Sequence, residues 1–158
     1  MNGVTGRMGT NQHLLRSIKA IADQGGIPVG AVIVRDGQVL AEGHNRRIQD
    51  GNPILHGEMD CLQRLGAQAS YRGMTLYTTL NPCKMCAGAL VQFRIPRVVI
   101  GQEAVPFPPE APFHGNLDYL AAHGVEAVLL PDAGCEALFA EFLSDPANRA
   151  KWLGDIGE

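Results

Sequence analysis

A three-layer α/β/α sandwich around a central mixed sheet of about five strands is the fold class that three observations on this 158-residue chain predict. Segments with apolar residues at helical spacing alternate with short runs rich in β-branched residues. No internal repeat and no low-complexity tract interrupts the alternation. Hydrophobic residues make up 46% of the chain, enough at this length to bury one core without help from disulfides. A single domain over 1–158 is therefore expected.

Residues 1–10 are Gly-rich and polar and are expected to be flexible. Leu14, Ile18 and Ile21 then recur at helical spacing until Gly25-Gly26 stops the pattern, which predicts a first amphipathic helix. A hairpin follows, with strands near 29–34 and 39–43. Asp36-Gly37 supplies the positive backbone angles that its tight turn requires. Met59, Leu62 and Leu65 share one side of a helix over 56–65, with Gly66 set to end it. Residues 74–79 read as a strand. Asn81-Pro82 breaks the chain and opens a helix over about 83–93, and Pro96 separates it from a strand at 98–100 that packs back as a crossover unit. Prolines at 106, 108, 109 and 112 make 101–115 a surface loop. Beyond it a helix is expected over 117–122 and a buried strand over 125–130. Leu138, Phe139 and Phe142 mark another helix. Asp145-Pro146 then offers an N-cap and a first helical residue for a C-terminal helix carrying Trp152.

Charge and composition narrow the function. With 13 basic and 16 acidic residues the net charge is −3, which lacks the basic excess that a phosphate backbone attracts. No nucleic-acid partner is expected. The N-terminus has no apolar signal region and no stretch approaches the roughly 18 apolar residues of a membrane span. A cytoplasmic protein with no membrane partner is expected, its four cysteines reduced rather than paired.

Two short motifs carry chemistry: His56-Gly57-Glu58 at the start of one predicted helix and Pro82-Cys83-Lys84-Met85-Cys86 at the start of the next. Together they form the signature of the zinc deaminases. Cysteines three apart in a first helical turn bring their sulfurs to one face, and helix N-termini favour thiolate over thiol. His56, Cys83 and Cys86 make a set of one nitrogen and two sulfurs. Three protein ligands are too few for a closed structural zinc site but suit a catalytic one with an open position. One zinc ion there would lower the pKa of a bound water from about 15.7 toward about 7, and hydroxide would attack the ring carbon bearing an amine. The ring nitrogen and the departing amine both need protons. Glu58, two residues from His56, is assigned as the proton shuttle.

A C-x-x-C pair alone is also found as half of a structural zinc site or as a redox couple. The first reading needs a fourth ligand, and Cys61 and Cys135 read instead as buried small apolar residues. The second leaves His56 and Glu58 without a role.

With these residues in view, the chain resembles the cytidine deaminase-like superfamily, and within it the fungal cytosine deaminases. The resemblance runs from about residue 11 to the C-terminus. Its strings are Gly25-Gly26-Ile27-Pro28-Val29-Gly30, Gly43-His44-Asn45, Leu55-His56-Gly57-Glu58, Thr75-Leu76-Tyr77-Thr78-Thr79-Leu80, Pro82-Cys83 to Gly88, Ile95-Pro96-Arg97, Trp152 and Asp155-Ile156-Gly157-Glu158. The ending is the most specific, because the zinc motifs are common to the whole superfamily. The resemblance implies that Asn45 holds the base by its carbonyl and ring edge and that Asp155 accepts a hydrogen bond from a ring N–H. It implies too that Trp152 and Ile156 cover the base from a C-terminal segment, 144–158, that closes the site. It further implies a homodimer with one zinc per subunit. On residues alone, the favoured readings are an Asn45 that caps a turn and a Trp152 and Asp155 that end a surface helix. The proline-rich segment 102–114 is longer than its counterpart in that family, where an aromatic residue stacks on the base. Phe113 or Phe107 could take that place, and His114 could face the site or solvent.

The expected activity is hydrolytic deamination of a free nucleobase, cytosine to uracil and ammonia. The rival substrates are guanine, isocytosine or a triazine. An RNA adenosine deaminase fits poorly with a pI near 5.9. A non-catalytic zinc-stabilised binding module would leave Glu58 dispensable.

Overall fold

In the computed structural model, residues 19, 23, 25–103 and 116–153 are described, the side chain of residue 153 excepted. A five-stranded mixed sheet with order β2-β1-β3-β4-β5 forms the centre. Its strands are β1 (Gly30–Arg35), β2 (Gln38–His44), β3 (Thr75–Thr78), β4 (Arg97–Ile100) and β5 (Glu126–Leu129). The helices are α1 (Arg47–Asp50), α2 (Gly57–Leu65), α3 (Lys84–Gln92), α4 (Asn116–Ala122), α5 (Ala133–Ser144) and α6 (Pro146–Leu153).

Turn chemistry accounts for the first hairpin. Asp36 and Gly37 both have positive φ, 53° and 76°, the pair that lets a two-residue turn follow the twist of its strands. β1 pairs antiparallel with β2 and with β3, whereas β3, β4 and β5 run parallel. The parallel pairs need crossovers, which α3 and α4 provide.

Alternation along the strands divides the core between the two faces of the sheet. Ala31, Ile33, Leu76, Val98 and Ile100 meet Cys61 of α2, Ala87 and Leu90 of α3 and Leu120 of α4 in one cluster. Val32 and Val34 on the opposite face meet Leu138 of α5. This is the expected three-layer sandwich. Two glycines let α2 lie this close to the sheet. A Cβ on Gly43 would stand 2.2 Å from the Cys61 nitrogen and 2.7 Å from the Gly57 carbonyl oxygen, and one on Gly57 would stand 2.9 Å from the Val29 carbonyl oxygen.

Several expectations change. The segment 125–130 is not a buried strand: β5 lies at the sheet edge and its end residues are exposed, because only one neighbour, β4, pairs with it. The short helix α1 follows β2 unannounced. Its sequence Arg47-Ile48-Gln49-Asp50 has no apolar periodicity and buries nothing. Of the predicted first helix only positions 19 and 23 are described, both helical. The start expected to be flexible, 1–10, and positions 104–115 of the loop expected over 101–115 lie outside the described residues, and the C-terminal helix is described only to Leu153. Cys61 and Cys135 are buried free thiols, as their sequence context predicts. Among the described residues, no helix is long and apolar enough to cross a membrane.

Candidate active site

The two motif-bearing helices begin alike. His56 is the N-cap of α2 and Cys83 the N-cap of α3, both with extended backbone, and neither side chain caps its own helix. Both are therefore available to a ligand at the same edge of the α2–α3 layer. Cys86, one turn into α3, is fully buried. The ligand atoms of His56, Cys83 and Cys86 lie within 4.8 Å of one another, and Cys83 Sγ is 3.5 Å from His56 Nδ1.

The electrostatics of this trio are those of a metal site. The Cys86 thiol beside Cys83, together with His56, brings the Cys83 thiol down to about 4 in spite of burial. The same contact with Cys83, added to burial, pushes Cys86 well up. The two sulfurs are thus pushed in opposite directions next to an imidazole. A divalent ion that displaced the remaining thiol proton would find a thiolate–thiolate–imidazole set. The donors and their spacing fit one zinc ion with a position left open.

Glu58 lies one residue into α2 and is 3% exposed. Burial, and then the Cys83 charge, raise its carboxyl above the usual carboxylate range. Thr78 Oγ1 donates to Glu58 Oε1 at 3.1 Å and also lies 3.0 Å from the Leu80 carbonyl oxygen. A buried carboxyl with raised pKa and one oxygen held by a hydroxyl suits a group that takes up and returns a proton.

Asn45 follows β2 and is buried. Its Oδ1 accepts from the Arg47 backbone N–H at 3.1 Å, which is the turn-capping role. The Arg47 guanidinium in turn donates to the Lys151 carbonyl, so the turn at Asn45 is tied to α6. Trp152 of α6 is buried, packs edge-on against Phe139 with ring centroids 5.0 Å apart, and shares an apolar cluster with Leu80, Cys83 and Cys86. It is not the end of a surface helix. Asp155, Ile156, Phe113, Phe107 and His114 lie outside the described residues.

Three supporting residues are not singled out by the sequence reading. Thr78 holds Glu58, and its signal was a polar residue at a core-facing strand position beside Leu76. Asp60 is a buried residue of α2. It accepts from the His44 backbone N–H at 3.1 Å and from Arg64 Nε at 2.9 Å, and pairs with Arg46 at 3.5 Å, so the end of β2 is fastened to the helix that begins at His56. Asn116 Nδ2 donates to the Pro82 carbonyl at 2.8 Å and steadies the residue before Cys83. No local pattern announces either of the last two.

The family model described as the cytidine and deoxycytidylate deaminase zinc-binding region matches residues 9–102, and the chain belongs to that family. It is 41% identical over 150 residues to the cytosine deaminase of Candida albicans, covering 93% of this chain and 94% of that enzyme. It is 38% identical to the tRNA-specific adenosine deaminase of Bacillus subtilis over 67% of this chain and 65% of that protein. Among solved structures, a tRNA:A34 deaminase superposes with TM-score 0.66 at 26% identity, over 78% of this chain and 98% of that one. The guanine deaminase of Nitrosomonas europaea, at 23% identity, shares the fold with TM-score 0.70 over 85% and 82% of the two chains.

Proposed function

We propose that the protein is a zinc-dependent hydrolase that deaminates free cytosine to uracil and ammonia. The observation that carries the reading is the buried Glu58 carboxyl, anchored by Thr78 and adjoining the His56–Cys83–Cys86 cluster. Near-full-length similarity to a cytosine deaminase supports the choice of base. The net charge of −3 favours a free base over a nucleic acid.

His56, Cys83 and Cys86 would hold zinc, which when bound supplies Lewis-acid activation of water. The residues of the chain do the rest. Glu58 takes the proton of the attacking water and delivers it to the ring nitrogen. The new C–O bond forms in that step; Glu58 then takes the second proton from the resulting hydroxyl and passes it to the amine, so that the C–N bond breaks, ammonia leaves and the oxygen becomes the carbonyl. Thr78 holds one carboxyl oxygen so that the other swings through a short arc. Because the Arg47 N–H fixes Asn45 Oδ1, the Asn45 amide presents Nδ2 as the donor to the base carbonyl, so capping the turn and binding the base are one arrangement. Asp155 accepts from a ring N–H, and Trp152, Ile156 and Phe113 enclose the ring and exclude water.

The working unit is a homodimer. An apolar groove of ≈ 390 Å³ along α2, lined by Ile54, Leu55, Met59, Leu62, Tyr71 and Phe93 among others, is the surface that a second copy would cover.

Ammonia release by zinc-loaded protein over cytosine, isocytosine, guanine, adenine, cytidine and amino-triazines tests the reading, with Glu58→Gln beside the wild type. The expected result is turnover of cytosine, lowered at least about a hundredfold in the variant while its zinc content and fold are kept. Turnover of another base with cytosine inert would overturn the substrate and leave the zinc chemistry standing. Full activity in Glu58→Gln would overturn the mechanism.

A further inference from the structure

Asn81 precedes Pro82 and the proposed zinc ligand Cys83, and nothing so far gives its side chain a role. It is 7% exposed, yet its Oδ1 is buried without a hydrogen-bond partner. Among the described residues it is the one buried side-chain oxygen in that condition. Such atoms are rare because each forfeits its hydrogen bonds to water without replacement.

The backbone around it gives no freedom to relieve this. The Asn81 N–H donates to the Gln102 carbonyl at 2.8 Å, the Pro82 carbonyl accepts from Asn116 Nδ2 at 2.8 Å, and the Leu80 carbonyl lies 3.0 Å from Thr78 Oγ1, where it competes with Glu58 for the one hydroxyl proton. Asn81 and Pro82 are each held by a residue distant in sequence. They connect Thr78, which holds Glu58, to Cys83, and the side chain of Leu80 packs in the same cluster as Cys83, Cys86 and Trp152. An acceptor kept unsatisfied in a rigid segment between a proton shuttle's support and a metal ligand is preorganised for a donor that arrives with the ligand.

We propose that Asn81 is a specificity-determining residue whose Oδ1 accepts a hydrogen bond from the exocyclic amine of the bound base. The inference rests on the deaminase reading above. The amine is the donor that distinguishes substrate from product: once a carbonyl replaces it, an acceptor in the wall has nothing to accept from. Asn81 therefore favours the amino-base over the keto-base and lets the product go.

The test uses Asn81→Leu, which keeps the side chain's shape without its polar atoms, and Asn81→Ala in case leucine crowds the wall. Both are measured in the zinc-loaded protein with whichever amino-base of the panel the wild type deaminates. The KM for that base should rise about tenfold, the loss expected for one neutral hydrogen bond at a buried site. Inhibition by the corresponding keto product should stay within about twofold, and the thermal midpoint without ligand should hold or rise, since a group that lacks a partner in the free protein has been removed. A merely structural asparagine would lower the midpoint and weaken amino and keto ligands alike, which overturns the proposal. Unchanged KM in both variants overturns it too. A zinc-loaded wild type that deaminates no base of the panel overturns the deaminase reading and this inference together.

Discussion

Glu58 takes its position from Thr78, and the value of that contact can be measured apart from folding. Both groups are buried and the hydroxyl donates to Oε1 at 3.1 Å, so the carboxyl is confined before substrate arrives. Thr78→Val keeps the side chain's volume and removes the donor. Freed to sample other rotamers, Glu58 would meet the attacking water in the right geometry less often, and kcat should fall about tenfold with KM little changed. Thr78→Ser, which restores the hydroxyl, should recover most of the loss. Equal kcat for wild type and Thr78→Val, at matched zinc content in steady-state ammonia release, would show that Glu58 needs no such support. Roles of this kind come from tertiary contacts: Thr78 and Glu58 are 20 positions apart in sequence and no local pattern joins them. Asp60 and Asn116 escape a sequence reading for the same reason. By contrast His56 with Glu58, and Cys83 with Cys86, are legible because each pair falls within the first turn of its own helix.

The elements that hold these residues were legible where a strong local signal set them. Asp36-Gly37 made the hairpin, Gly66 ended α2 and Asn81-Pro82 opened α3. The burial of β5 was not legible, since an apolar run such as Ala127-Val128-Leu129-Leu130 has the same composition at a sheet edge as at its centre. Nor was α1, which owes its place to the turn at Asn45 rather than to any amphipathic stripe. The approach of α2 to β2 was equally invisible, and it is the contact on which His56 depends. Gly43→Ala tests it. The added methyl would meet the Cys61 backbone at 2.2 and 2.6 Å and the Gly57 carbonyl oxygen at 2.7 Å. All are main-chain atoms that cannot swing aside, so α2 would have to move. A stability loss of about 3 kcal/mol is expected in urea denaturation. A loss below about 1 kcal/mol would mean that the helix shifts freely, and that the position of His56 is not set by this packing.

For the molecule as a whole, zinc and a second subunit are the two additions expected to act on the entire fold. The ligand trio joins the starts of α2 and α3. Metal that binds only the folded chain raises its stability by mass action, about 2.7 kcal/mol at a hundredfold excess over Kd. For a chain of this size, removing it with a chelator should lower the thermal midpoint by roughly 5–10 °C, and re-addition should restore it with one zinc per chain by elemental analysis. A midpoint indifferent to the chelator, with substoichiometric zinc, would show that the trio is not a metal site. A second subunit would cover the apolar groove, whose Leu55 and Met59 flank His56 and Glu58 in the chain. Ile54 is 52% exposed and Phe93 40% exposed, and a surface of this character costs solubility unless it is covered. Light scattering on a sizing column should therefore give twice the chain mass of 16.9 kDa at micromolar concentration. Phe93→Arg would place a charge in the middle of the covered apolar contact and should return the protein to a single chain. Because the same face carries the start of α2, the monomeric variant should also lose thermal stability and hold zinc less tightly. A wild type that runs as one chain would remove the dimer from this account, and the zinc chemistry of His56, Cys83 and Cys86 would then be that of a self-sufficient subunit.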